Sequence, residues 1–388
     1  MVKSFDEQYI DLCRRILAEG EHVQNYKKRE SGKKCTEKCQ VDGESGGKGT
    51  ESVQDGKESG KKRVENCRNW GGSGTERVCD CRSNDGYGVE SAMPEHTAQA
   101  NSEAKTVRLP HQVMQFDLME EFPILTSKKV AFKTAVLEIL WIYQVASNDV
   151  RWLQERGVKI WNEWEIDEDG NYQGRNINEI FRERHPGMSS DAGVGMIEDG
   201  EAEVDFSHTI GTAYGWIVKK YHLIDNLIKT LKNSPGNRRM VLSLWQIEWL
   251  ETAALPSCVW NSQWNVMNGR LNTLVTSRSS DVPLGLPFNV VQYAVLNHLI
   301  AHVVGLKPGI FTFMTNDAHI YENQVEGITE QILRYDRAVK DGTLPKAPKL
   351  WINPEIHDFK DFDNSRELKD IKLENYENLG TIKMPVTE

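Results

Sequence analysis

What the 388-residue chain lacks narrows the possibilities first. It has no run of about 18 apolar residues, so nothing in it reads as a membrane-spanning helix. No stretch gathers basic residues with aromatics into a nucleic-acid face. The balance is acidic, Lys+Arg 47 against Asp+Glu 57, with a net charge of -10. The N-terminus, Met1-Val-Lys-Ser-Phe-Asp-Glu-Gln, carries no apolar leader. Together these absences predict a cytoplasmic protein that binds neither membrane nor nucleic acid. Its 7 cysteines are then expected to be reduced.

A second absence divides the chain. Residues 26–105 hold almost no Leu, Ile or Phe and are rich in Gly, Ser, Lys and Glu. Glu30-Ser-Gly-Lys-Lys34 recurs as Glu58-Ser-Gly-Lys-Lys62, which reads as duplicated low-complexity sequence. So little apolar surface cannot offset the entropy of ordering, and a disordered insertion is expected. Cys35-x3-Cys39 and Cys79-x-Cys81 fit no common zinc spacing, and no nearby histidine completes a set, so no metal is expected. The remainder divides into residues 1–25, an N-terminal helix, and residues 106–388, a large patterned domain.

What is present outside the insertion is patterned. Ser4-x-x-Glu7 forms a capping box ahead of an apolar stripe of Phe5, Tyr9, Leu12 and Ile16, and Gly20 suits the helix end. Strands are expected at 107–110 and 113–118, and helices at 130–146, 222–232, 289–304 and 320–339. Phe311–Met314 reads as a short strand, 165–207 as a polar excursion or lid, and 345–375 as irregular chain with short strands. Interleaved strands and helices imply a mixed α/β architecture. Inside the 130–146 helix, Glu138 stands among apolar neighbours, and periodicity favours an exposed i,i+4 partner over a buried acid.

The densest signal runs from 254 to 323. Asn268-Gly269 joins two runs holding Trp264, Val266, Leu271 and Val275, a strong hairpin signal because both turn positions need positive φ. Extending the ladder puts Cys258 opposite Ser279 and beside Arg278; a single bulge would put it opposite Arg278 itself. Alone, Cys258 reads as a buried small hydrophobe and Arg278 as an ion-pair or surface arginine. Side by side they suggest a thiolate steadied by a fixed cation, the form of cysteine that acts as a nucleophile.

Cys258, the run Arg278-Ser279-x-Asp281-Val282-x-Leu284-Gly285-Leu286-Pro287-Phe288-Asn289 and the run Asp317-Ala-His319-Ile-Tyr321-x-Asn323 together resemble the signature of the thymidylate synthases. The likeness extends to Glu138-Ile-Leu-Trp141, Ile160-Trp-Asn-Glu-Trp164, Tyr214-Gly215, Arg238-Arg239 and Ile382-Lys-Met-Pro-Val386. It covers residues 4–25 and about 106–388.

The resemblance implies an α+β sandwich whose sheets pack across a homodimer, and methylation of dUMP with 5,10-methylenetetrahydrofolate as carbon and hydride donor. Cys258 would be the nucleophile and Glu138 the proton relay, which reverses the exposed reading. Tyr214 would serve removal of the C5 proton. Arg278, Ser279 and the partner subunit's copies of Arg238 and Arg239 would hold the phosphate. Asn289 would read the uracil edge, His319 and Tyr321 the deoxyribose hydroxyl. Asp281, the last of the dUMP-site residues, would also face the pterin, with Trp161, Trp164, Leu284, Gly285 and Val386 around the folate. Alternatives are a deoxyuridylate or deoxycytidylate hydroxymethylase, and a weakly active homologue retained for nucleotide or RNA binding.

The chain departs from the family in three places. Val259 follows the nucleophile where histidine is common, and Asn316 precedes Asp317 where glycine is common. The phosphate-gripping arginine loop has only the echo Asn84–Val89, with Arg29 and Arg82 as stand-ins.

Overall fold

The computed structural model describes residues 3–24, 105–194, 196 and 202–387. The insertion, its cysteines, Arg29 and Arg82 lie outside the described residues. In chain order the first elements are α1 (Phe5–Glu19), β1 (Glu21–Gln24), β2 (Lys105–Asp117), α2 (Phe132–Leu140) and α3 (Arg151–Gln154). Then come β3 (Asn171–Tyr172), β4 (Arg175–Asn176), α4 (Ile177–Arg184), α5 (Gly215–Lys220), α6 (Leu223–Asn233) and β5 (Val241–Ser243). The second half holds β6 (Val259–Met267), β7 (Arg270–Ser277), β8 (Ser280–Asp281), α7 (Gly285–Val303), β9 (Lys307–Tyr321), α8 (Val325–Lys340), β10 (Lys349–Ile352) and β11 (Ile371–Glu374).

A 7-stranded sheet in the order β1-β2-β9-β7-β6-β5, with β8 also paired to β9, organises the molecule. The β6–β7 hairpin turns on Asn268 at φ 52° and Gly269 at φ 71°, the positive values its two central positions require. Along β7, Leu271, Thr273, Val275 and Ser277 are buried while the alternate residues are half-exposed, so among the described residues only one face of the sheet is covered. Helix α7 lies on that covered face. The buried Asn297 amide donates to the Leu271 carbonyl at 2.9 Å and to Thr273 Oγ1 at 2.7 Å. The helix is apolar on nearly every side, as a helix enclosed by the rest of the protein must be.

Helix α1 has both hydrogen bonds of its capping box, between Ser4 and Glu7. Its buried Asp6 accepts from Thr126 and from the Ser127 amide, which pins the helix to the loop before α2. Gly20 closes α1 for a steric reason. A Cβ there would come within 2.4 Å of the Ile16 carbonyl oxygen.

Several expected boundaries move. The two strands at 107–110 and 113–118 are one strand, β2, continuous past Pro110 with His111 at φ 50°. The short strand at 311–314 is the middle of the 15-residue β9, which absorbs Asp317–Tyr321; the helix expected from Ile320 begins at Val325. Strand β9 is central, flanked on one side by β2 and on the other by β7 and then β8, so its polar end keeps backbone partners whatever its side chains. Helix α7 starts at Gly285, four residues before Asn289. Helix α2 passes at Trp141 into a π-helical turn that ends at Ala146, φ 52°.

Candidate active site

Three elements carry the converging side chains: the start of β6, the β7–β8 junction and the first turns of α7. At the far end of the β6–β7 ladder the register slips between Val259 and Asn261, so Val259 faces Ser277. The Arg278 amide then donates to the Cys258 carbonyl at 2.9 Å. That slip is the bulge the sequence allowed for, and it brings Arg278 Nη2 to 3.7 Å from Cys258 Sγ. The same guanidinium donates to the carbonyls of Pro256 at 2.8 Å and Ser257 at 3.2 Å, which fixes its plane beside the sulfur.

Cys258 is one of two free cysteines among the described residues; the other, Cys13, is buried in the core. Burial pushes the Cys258 thiol up, and Arg278 pulls it down by less. The expectation of a net-depressed thiol is therefore corrected. The cation acts in the expected direction, yet desolvation outweighs it, and the resting group is a thiol.

Tyr214 reaches the same sulfur residue from another direction. It caps α5 with φ 46° and ψ −106°, and its hydroxyl accepts from the Cys258 amide at 3.0 Å. The strained backbone is held by Gly215, where a Cβ would lie 2.0 Å from the Ser147 carbonyl oxygen. Trp161 stands edge-to-face with Tyr214 at 5.2 Å between ring centroids and with Trp164 at 5.5 Å.

Glu138 is buried, which overturns the exposed reading that periodicity favoured. The two oxygens of its carboxyl each accept a hydrogen bond, from Trp161 Nε1 at 2.8 Å and from Gln292 Nε2 at 2.6 Å. Burial nevertheless pushes the acid up to about 7, against those two bonds. An acid poised there can give or take a proton near neutrality. Gln292 in turn accepts from Asn289 Nδ2 at 3.1 Å. A continuous path of contacts thus runs from Asn289 through Gln292, Glu138, Trp161 and Tyr214 to Cys258 and Arg278.

The second cluster lies along β8 and β9, where Asp281 faces His319 in register. The Asp281 carboxyl, pushed up by burial, accepts from the Leu284 amide at 3.1 Å and from Gln324 Nε2 at 3.2 Å. His319 Nδ1 meets Asp317 Oδ1 at 3.2 Å, and its ring stands edge-on to Tyr321 at 5.1 Å. Ser279 and Gly285 are half-buried beside these groups in the chain. Gln324 also donates to the Pro385 carbonyl at 3.1 Å, which ties the C-terminal segment to Asp281; Val386 itself is exposed.

Two predicted site residues are not brought in. Arg238 and Arg239 are exposed and precede β5, whose Val241 pairs with Gln263 at the middle of β6. The Met240 carbonyl accepts from the Trp264 amide, so the arginines lie toward the turn end. Cys258 sits at the other end, roughly 20 Å away at the rise of a strand. Gln292 and Gln324 were missed. The signal for Gln292 was a lone amide among apolar neighbours, one helical turn beyond Asn289; Gln324, in the polar run Glu322-Asn323-Gln324, gave none. A cavity of about 460 Å³ beside α5, lined by Ser147, Asp149, Asp191 and Lys219 among others, includes none of the converged residues.

Comparison with known proteins gives one answer. A family model described as Thymidylate synthase matches residues 90–388. A Clostridium beijerinckii protein named thymidylate synthase is 49% identical over 283 residues, 73% of this chain and 89% of that one. Thymidylate synthase 1 of Bacillus subtilis is 37% identical over 284 residues, 71% of this chain and 83% of the relative. Among solved structures, the thermostable thymidylate synthase A from Bacillus subtilis superposes with a TM-score of 0.63 at 28% identity, covering 100% of both chains.

Proposed function

The chain belongs to the thymidylate synthase family, and from that premise we propose how its own residues carry the reaction. The reaction is reductive methylation: dUMP and 5,10-methylenetetrahydrofolate give dTMP and dihydrofolate. The observation that carries the residue assignment is the Cys258 sulfur held 3.7 Å from a guanidinium and joined by contacts to a buried acid and an amide.

The C5 carbon of uracil is a poor nucleophile. Adding the Cys258 sulfur at C6 pushes electrons onto C5 and O4 and makes C5 reactive. Attack requires the thiolate. Arg278 favours that form, and the thiol proton leaves before the C–S bond forms. Asn289 donates to O4, where negative charge develops, and accepts from N3–H. Tyr214, from its place over the Cys258 amide, and Glu138 carry the C5 proton away to solvent, and the methyl group takes its place. The sulfur then departs from C6 and restores the ring double bond. Arg278 and Ser279 grip the phosphate, and His319 and Tyr321 the 3′-hydroxyl.

The residues present fit a folate. Trp161 and Trp164 form an aromatic wall suited to a flat pterin, and Asp281 is a half-buried acceptor for its N–H groups. The bound folate supplies a one-carbon unit and a hydride. Leu284 and Gly285 line the same turn, and the 384–387 segment closes over it through Gln324 and Asn323, excluding water.

We further propose a homodimer. The uncovered face of the sheet carries Val113, Met314 and Val241, all exposed, and a second copy would bury them. Arg238 and Arg239 sit too far from their own Cys258, and in a two-fold dimer they would reach the partner's phosphate. The catalytic unit would comprise 106–388 with α1 added from 1–25. A thiol that must stay reduced suits the cytoplasm. No helix among the described residues is long and apolar enough to cross a membrane.

The test is turnover with both substrates. dTMP and dihydrofolate in equal amounts are expected. Hydroxymethyl-dUMP with tetrahydrofolate, or binding without turnover, would reject this reading.

A further inference from the structure

Gln292 belongs to no motif singled out in the sequence, yet it is 2% exposed and bonded at both ends of its amide. Its Nε2 faces Glu138 Oε2 and its Oε1 faces Asn289 Nδ2. We propose that Gln292 is a positioning residue: it transmits the protonation state of Glu138 to the amide of Asn289, and so sets whether the site reads uracil or cytosine. This rests on the reading above, in which Asn289 faces the pyrimidine.

The reasoning is a donor and acceptor inventory. An ionised carboxylate only accepts, whereas each amide has one donor end and one acceptor end. With Trp161 Nε1 on Glu138 Oε1, the second oxygen must receive its donor from Gln292. Gln292 Oε1 is then turned to Asn289, which must answer with its NH2 group. Asn289 is left with one free N–H and its oxygen, in the order that matches O4 and N3–H of uracil.

Protonation of Glu138 on Oε2 reverses each step. That oxygen becomes a donor, Gln292 presents Oε1 to it, and Asn289 must turn its own oxygen to Gln292. The free pattern inverts and matches the N4 amino group and bare N3 of cytosine. Burial denies Glu138 and Gln292 water as a substitute partner, so an unturned Gln292 amide would leave two donors or two acceptors face to face. The groups facing Glu138 are neutral: Trp161, Gln292 on α7, and the two tyrosines whose phenols feel its charge, Tyr214 ahead of α5 and Tyr293 on α7. Arg278 and the Cys258 thiol stand one contact further off, beyond Tyr214. Burial pushes Glu138 up to about 7, so both protonation states occur near neutrality.

Binding of dUMP and dCMP by calorimetry tests this without turnover. The full chain would be compared with Gln292→Leu and Glu138→Gln at about pH 6 and about pH 8, a range set by the Glu138 titration. The phosphate titrates alike in both nucleotides and cancels in the affinity ratio. The unaltered protein should prefer dUMP at the higher pH and lose part of that preference at the lower. Gln292→Leu should narrow the ratio by about tenfold or more and make it independent of pH, since an unfixed amide no longer rejects the wrong edge. Glu138→Gln should likewise remove the pH dependence, and it decides the matter if Gln292→Leu does not fold. A folded Gln292→Leu that weakens both nucleotides equally, or a Glu138→Gln that keeps the pH dependence, overturns the proposal. Failure of the unaltered protein to bind dUMP at either pH overturns the underlying reading and this one with it.

Discussion

At Cys258 two physical effects oppose each other, and their balance has a measurable consequence. Desolvation raises the thiol and Arg278 lowers it, with desolvation the larger. Alkylation of Cys258 by iodoacetamide, followed on its own peptide by mass spectrometry, should therefore be slower at neutral pH than for a free cysteine. The rate should climb with pH past the ordinary thiol range. Replacing Arg278 with Gln should slow it further; an unchanged or faster rate would show that the guanidinium does not act on the sulfur. Glu138 makes the converse case in stability. A carboxyl whose folded pKa is raised favours the fold when protonated. Its contribution is present below about 4.5 and is lost as pH rises through about 7. The loss is on the order of 3 kcal/mol at full ionisation. Glu138→Gln lacks this titration, so its thermal midpoint relative to the unaltered protein should rise between pH 5 and pH 8, conditions bracketing the shift. A constant difference between the two proteins would place the acid in contact with water.

Among the elements, the turn before α5 is the one whose geometry the site depends on most. Gly215 allows the chain to pass against Ser147 and holds Tyr214 at φ 46°. Gly215→Ala should cost ~1–3 kcal/mol through forced displacement of that backbone. It should lower turnover more than nucleotide affinity, because it moves Tyr214 and not the phosphate grip. Equal losses in both would mean that the turn only supports the fold. The hairpin illustrates what sequence could tell. Asn268-Gly269 defines its own turn type, and the ladder follows to within a single bulge, enough to set Cys258 beside Arg278. The boundaries of β9 and α7 were less legible. Asp317 and His319 look like loop residues in the sequence and Tyr321 like the start of a helix, yet β2 on one side and β8 on the other hold this stretch in the sheet. Burial of Glu138 was invisible to periodicity, since from Ala135 onward that helix is buried on every side and has no polar face to register against. Gln292 showed only as a polar letter in an apolar helix; Asn289 is its neighbour one helical turn earlier, but Glu138 reaches it by folding alone.

For the whole molecule, the decisive question is whether a single chain holds a complete site. The uncovered sheet face and the distance of Arg238 and Arg239 from Cys258 argue that two chains share each one. A chain carrying Cys258→Ala and a second carrying Arg238→Ala with Arg239→Ala should each be inactive or nearly so. Mixed after unfolding and refolding together, they should regain about a quarter of full activity, because half the dimers are mixed and each has one intact site. No recovery would place the arginines in their own chain's site or outside it. Beneath this lies the claim that one sulfur adds to the pyrimidine ring. Fluorine at C5 cannot be removed as a proton can, so 5-fluoro-dUMP should stall the reaction after the carbon–sulfur bond has formed. Intact mass and peptide mapping of the protein incubated with 5-fluoro-dUMP and methylenetetrahydrofolate should find one adduct per active site, on Cys258, and none in Cys258→Ala. An adduct on another residue, or one that survives in Cys258→Ala, would contradict the account.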